Sequence, residues 1–137
     1  MNLGNVMDEI AVRLRQAPSL AGRTYAFPPA TVVAPAAIVT YPDEGTYDET
    51  YRRGMDRMGG EMVYVLVGRS TERQSRDLMT KYVNGSGAES VKALLDADGY
   101  TSCSYVRVTG WKTVYYSVGG IEYLTAAFDL DIAGQGA

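Results

Sequence analysis

Apolar positions Leu3, Val6, Met7, Ile10 and Leu14 recur at helical spacing, with Asp8, Arg13 and Arg15 on the other sides. This pattern predicts an amphipathic helix over residues 2–16, capped by Asn2 and stopped by Pro18. After the loop APSLAGR a short strand is expected around Thr24–Phe27, ended by Pro28 and Pro29. A second strand, Ala36–Tyr41, sits between Pro35 and Pro42, which predicts an edge position or an abrupt end. Met62–Val67 is nearly continuous in apolar residues, the pattern of a central strand covered on both faces. Gly68 is expected to turn the chain into a helix running to about Val83. Thr71 and Gln74 fit a capping box, and Leu78, Met79, Tyr82 and Val83 supply the inward side. Asn84-Gly85-Ser86-Gly87 stops that helix. A shorter one follows at about Ala88–Ala97, with Val91, Leu94 and Leu95 inward.

The last third reads as a β-hairpin. Its arms are Ser104–Val118 and Ile121–Ile132, joined by the two-residue turn Gly119-Gly120. Leu124, Ala126, Phe128, Leu130 and Ile132 alternate with Tyr123, Thr125, Ala127, Asp129 and Asp131, which predicts one buried and one polar face. Gly110 marks an expected bulge, and the tail from Gly134 is expected to be loose. The order of elements predicts one α+β domain over residues 1–137. Its sheet is mainly antiparallel with helices packed on one face, and it carries a long protruding loop or hairpin and a C-terminal β-hairpin.

Composition narrows the chemistry. There is no histidine, so Ser-His-Asp and Cys-His catalysis and His-containing metal sites are excluded. The single cysteine, Cys103, cannot form an internal disulfide and reads as a small hydrophobe in a strand. The net charge of −3 is a poor match for a domain whose task is to grip phosphates. The acid pairs Asp43/Glu44, Asp48/Glu49 and Asp96/Asp98 have no adjoining base and read as solvated. Gly68–Thr71 could bind an anion at a helix start, but it lacks the glycines and lysine of a phosphate loop and reads as an ordinary cap. Asn84-Gly85-Ser86 fits a glycosylation acceptor, better explained as turn chemistry. No catalytic, cofactor or metal residues are expected, and the chain reads as no enzyme. No membrane span is expected, and the N-terminus lacks the pattern of a signal peptide, which points to synthesis in the cytoplasm.

The informative stretch is Asp43–Gly60, long for a connection in a compact domain. It interleaves Tyr47, Tyr51, Met55 and Met58 with Arg52, Arg53 and Arg57, the residue types enriched at protein interfaces. Its charge is polarised: Asp43, Glu44, Asp48 and Glu49 come first, then the arginines. Such an element can fold back as a hairpin with self-paired charges. It can also pair head to tail with a neighbour, the contact type that builds rings. The first set is therefore assigned to an interface with a neighbouring subunit, and the four acids to the partner side of such a contact.

The N-terminal helix, PPATVVAPAAIVTYPDEGTYDETYRRGMDR, MVYVLVGR with its following helix, NGSGAESVKALLD and the terminal YLTAAFDLDIAG resemble the tail terminator (head–tail joining) proteins of long-tailed actinobacterial phages. The resemblance covers nearly the whole chain and rests on segment order rather than a catalytic signature. It implies a virion structural protein at the neck, made in the host cytoplasm. As a ring, hexameric in that family, it would cap the tail tube and end tail growth. It would meet the major tail tube protein on one side and a head-completion or connector protein on the other, with DNA only as passing cargo. Another neck or head-completion protein is the alternative, followed by a small-molecule or nucleotide-binding enzyme domain using the Gly68–Thr71 turn.

Overall fold

A computed structural model describes residues 1–26, 29, 32–47, 55–69 and 73–135. In chain order the elements are α1 (Leu3–Leu14), a 3-10 turn (Pro18–Leu20), β1 (Thr24–Tyr25), β2 (Ala36–Val39), β3 (Glu44–Thr46), β4 (Met55–Arg69), α2 (Arg73–Val83), α3 (Val91–Asp96), β5 (Tyr105–Val118) and β6 (Ile121–Gln135). The strands form one sheet in the order β1-β2-β4-β6-β5, with β3 beside the first part of β4. Among the described residues, only the β1–β2 pair is parallel. The fold is α+β with a mostly antiparallel sheet, as the patterning predicts.

The three helices cover one face. Val6, Ile10 and Leu14 of α1, Tyr82 of α2 and Val91 and Leu95 of α3 pack with Val63, Val65, Phe128, Leu130 and Ile132 in one buried cluster. Side-chain alternation along β4 and β6 sends these strand residues to a single side. Asn2 caps α1, its side-chain oxygen accepting the Asn5 N–H at 3.0 Å. The helix is then clasped to the start of β5. The Glu9 carboxylate accepts the backbone N–H groups of Thr101 and Ser102. Burial acts to raise the Glu9 pKa, but these bonds together with the two side-chain hydroxyls hold it below the ordinary value. Arg13 lies 3.6 Å from the Tyr100 ring centre and donates to the Asp98 carbonyl at 2.9 Å.

The C-terminal hairpin turns at Gly119 and Gly120, with φ of 59° and 80°. Two successive positive φ values make a primed turn, which suits the twist of the flanking strands. The bulge expected at Gly110 is present: the β5–β6 register shifts between Val108 and Gly110.

Several boundaries differ from expectation. Gly68 does not turn the chain. It continues β4 past a register shift between Leu66 and Gly68, so the glycine serves a bulge. Ser70 and Thr71, the expected helix start, lie outside the described residues, as does Phe27. The short helix begins at Val91 rather than Ala88, because the Ser90 hydroxyl caps it by accepting the Ala93 N–H at 3.2 Å. The tail is not loose through Gln135: it extends β6, and the Gln135 carbonyl accepts the N-terminal ammonium at 2.8 Å. The hairpin has no simple division into a buried and a polar face. Tyr123, Thr125 and Ala127 are buried too, Tyr123 in a smaller cluster with Ile38 and Leu66 on the far side of the sheet. Leu124 is only half-buried, since it pairs with exposed Tyr115 near the hairpin tip.

Phe128 and Leu130 are in the core as expected. Phe128→Ala is expected to destabilise the fold by roughly 3–5 kcal/mol, through lost burial and the cavity left behind. Chemical denaturation of the two proteins measures this.

Candidate assembly interface

Part of the stretch read as a long loop is strand. Glu44, Gly45 and Thr46 pair antiparallel with Gly59, Met58 and Arg57, so the segment does fold back on itself as a hairpin at its base. Tyr51, Arg52, Arg53, Asp48 and Glu49 lie outside the described residues. The base is fixed by a close approach. Gly60 has φ of 121°, and a Cβ there would meet the Asp43 carboxylate. That carboxylate instead reaches over Gly60 and accepts the Glu61 N–H at 3.2 Å. Asp43 is therefore a local clasp, while Glu44 stays exposed.

The structure separates the remaining candidates. Tyr47 is 84% exposed, and Met55 is half-buried. Met58 is 8% exposed and belongs to the core, packed on the helix face opposite Ile132. It is corrected from interface residue to core residue, since alternation along β4 turns it inward. Arg57 faces the other way. Its guanidinium pairs with Asp131 at 3.0 Å and donates to the Tyr105 hydroxyl at 3.1 Å, so its charge is engaged within the chain.

Arg57 is one end of a polar strip across the helix-free face of β4, β6 and β5. Further along, Lys112 of β5 forms an ion pair with Glu61 of β4 across β6. The Tyr64 hydroxyl donates to Glu61 at 3.0 Å, and the Tyr64 and Tyr116 rings lie 5.7 Å apart. The Lys112 ammonium lowers the Glu61 pKa, and Glu61 raises that of Lys112. Partial burial, with the bond to Glu61, pushes Tyr64 up to about 12.

A second exposed feature lies on β5, where Trp111 is 48% and Tyr115 59% exposed. Sequence reading did not single out this pair. Its signal is the i, i+4 spacing of two aromatics on one strand face. What the sequence could not give is that β5 is the last strand of the sheet. A cleft of about 350 Å³ lies near the start of α2, between Val32, Pro35, Leu78 and Tyr123, with Arg69 and Gln74 among its lining residues. Among the described residues, no group of three Asp, Glu or Cys side chains is placed to hold a metal, and no helix is long and apolar enough to cross a membrane. The Cys103 thiol is half-buried, and burial raises its pKa. The arrangement offers surface for contact: aromatics in solvent, and charges spread along two strands.

The Glu61–Lys112 pair has a definite pH window. Glu61 is depressed, so its contribution is present above its unfolded pKa and is lost as pH falls through the folded value. Lys112 is raised, so its contribution is lost only as alkali passes its folded value. A double-mutant cycle with Glu61→Gln and Lys112→Met is expected to show favourable coupling at neutral pH and none in strong acid. Equilibrium unfolding at the two pH values checks it.

No protein-family model matches this chain, and no curated protein is similar enough to count as a relative.

Proposed function

We propose that the chain is a ring-forming structural protein of a phage neck, a tail terminator. Copies assemble head to tail into a ring, a hexamer on the family resemblance, that caps the tail tube and ends its growth. The opposite side of the ring offers a surface to a head-completion or connector protein, and DNA passes through the centre. The reading places the protein in the virion, with the Asp43–Gly60 hairpin contacting the next subunit or the tube. The protein is no enzyme on this reading.

The observation that carries the proposal is the hairpin itself. Among the described residues its first limb, β3, pairs with β4 and holds Tyr47 and Glu44 in solvent, and its sequence runs from acids to arginines. An arm of this kind, acidic on its first limb and mainly basic on its second, suits a heterologous contact, and heterologous contacts close into rings where the rotation between copies allows. Each exposed ion pair contributes little, roughly 0–1 kcal/mol. Repeated around a ring with aromatics desolvated, such pairs set register and partner choice.

In a phage that carries this protein, the double variant Arg52→Glu/Arg53→Glu is expected to keep the fold. It is expected to give tails of uncontrolled length or heads without tails. Electron microscopy of lysates reads the outcome, and normal tails on filled heads would contradict the proposal.

A further inference from the structure

We infer that the free edge of β5 is the seat for β3 of a second copy, so that the sheets of neighbouring subunits join edge to edge. The inference rests on the head-to-tail ring reading and names the surface that receives the hairpin.

One side of β5 pairs with β6 along its length. On the other side the first turn of the strand is already occupied, because Asp96 of α3 accepts the Val108 N–H at 2.8 Å. The bulge at Val108–Gly110 ends that protected stretch. Beyond it the ladder runs unbroken to the two-residue turn, where Val118 opposes Ile121. Alternation from that turn directs the backbone groups of Trp111, Thr113, Tyr115 and Ser117 away from β6. An edge of this length is a template for another strand.

Side chains restrict which strand fits. Trp111 and Tyr115 emerge on the helix face, and Lys112 on the helix-free face. β5 contains two cations, Arg107 and Lys112, and no acid. β3 has the complementary pattern. Gly45 opposes Met58 and therefore lies on the helix face, where it borders a cleft of about 270 Å³ with Met1, Leu3, Pro42, Tyr47 and Met58. Glu44, its neighbour in sequence, projects on the helix-free side.

Strand direction agrees. β5 and β4 both run antiparallel to β6, and β3 runs antiparallel to β4. A rotation that repeats subunits around a ring therefore brings β3 to β5 antiparallel. In the register that sets Trp111 opposite the neighbour's Gly45, Lys112 falls opposite the neighbour's Glu44. The indole then lies over a residue without a side chain and beside the cleft, whose lining includes Met1, Leu3 and Met58 together with Asp56 and Arg57. The ammonium, already held by Glu61 of its own chain, receives a second carboxylate. A slip of one residue would put the indole beside the carboxylate and the ammonium beside the cleft, so alternation excludes the odd slips, and the Trp111–Gly45 and Lys112–Glu44 pairs favour this register among the even ones.

The test uses the full chain with Cys103→Ala as background, mixed with tail-tube protein and oxidised. Lys112→Cys with Glu44→Cys is expected to give a ladder of covalent multimers on a denaturing gel, ending at the ring size found by native mass. Either cysteine alone is expected to remain uncrosslinked. A covalent dimer from Lys112→Cys alone would mean that β5 pairs with its own copy, and a crosslink to tube protein would mean that the tube takes the edge; each overturns the inference. A ring by native mass without any ladder also overturns it while leaving the ring reading intact, whereas the absence of any ring defeats both. A second variant set does not depend on disulfide geometry. Lys112→Glu and Glu44→Lys are each expected to lower the assembled fraction about tenfold, and their combination to restore it. Failure of the combination to recover assembly, with the fold intact by circular dichroism, counts against the pairing.

Discussion

The structure hangs on β6. This strand is paired on both sides, with β4 along one edge and β5 along the other. It also carries Phe128, Leu130 and Ile132 into the helix-facing core. Its backbone groups are satisfied by two ladders while alternate side chains exclude water from one face. Every helix packs on the surface this ladder defines. Even the N-terminus is fixed there, through the Gln135 carbonyl at the strand's end.

Three helices suffice for one face of such a sheet, and the other is treated differently. Toward β2 it has a small cluster of Ile38, Leu66 and Tyr123. Toward β5 it has ion pairs and tyrosines in place of an apolar layer. The helix cover also stops short of the hairpin tip, which leaves Trp111 and Tyr115 beside a strand edge that no described strand pairs. Exposed aromatics on an open edge are a hazard for a free monomer and useful for an assembly component. That contrast links the architecture to the assembly reading more directly than any single residue does.

Much of this was legible in the sequence. The 3.6-residue spacing from Leu3 to Leu14 gave α1, and Gly119-Gly120 between alternating arms gave the hairpin. The bulge could be placed from Gly110 alone. The failures have local causes. Met58 looked like an interface residue because Tyr, Met and Arg interleave around it, yet β4 begins at Met55 and its alternation turns that side chain into the core. Gly68 looked like a turn because glycine before a polar run signals one, but pairing with β6 carries the strand through. The meaning of Trp111 and Tyr115 depends on strand order, a long-range property that periodicity does not encode.

The measurement that bears most directly on this account is hydrogen exchange, read by mass spectrometry on the free protein and on the protein assembled with tail-tube subunits. The account predicts that peptides of β6 are protected in both states. Peptides spanning 111–118 and 43–47 should gain protection together on assembly. Unchanged exchange in both of those segments, with new protection confined to the helices, would contradict it.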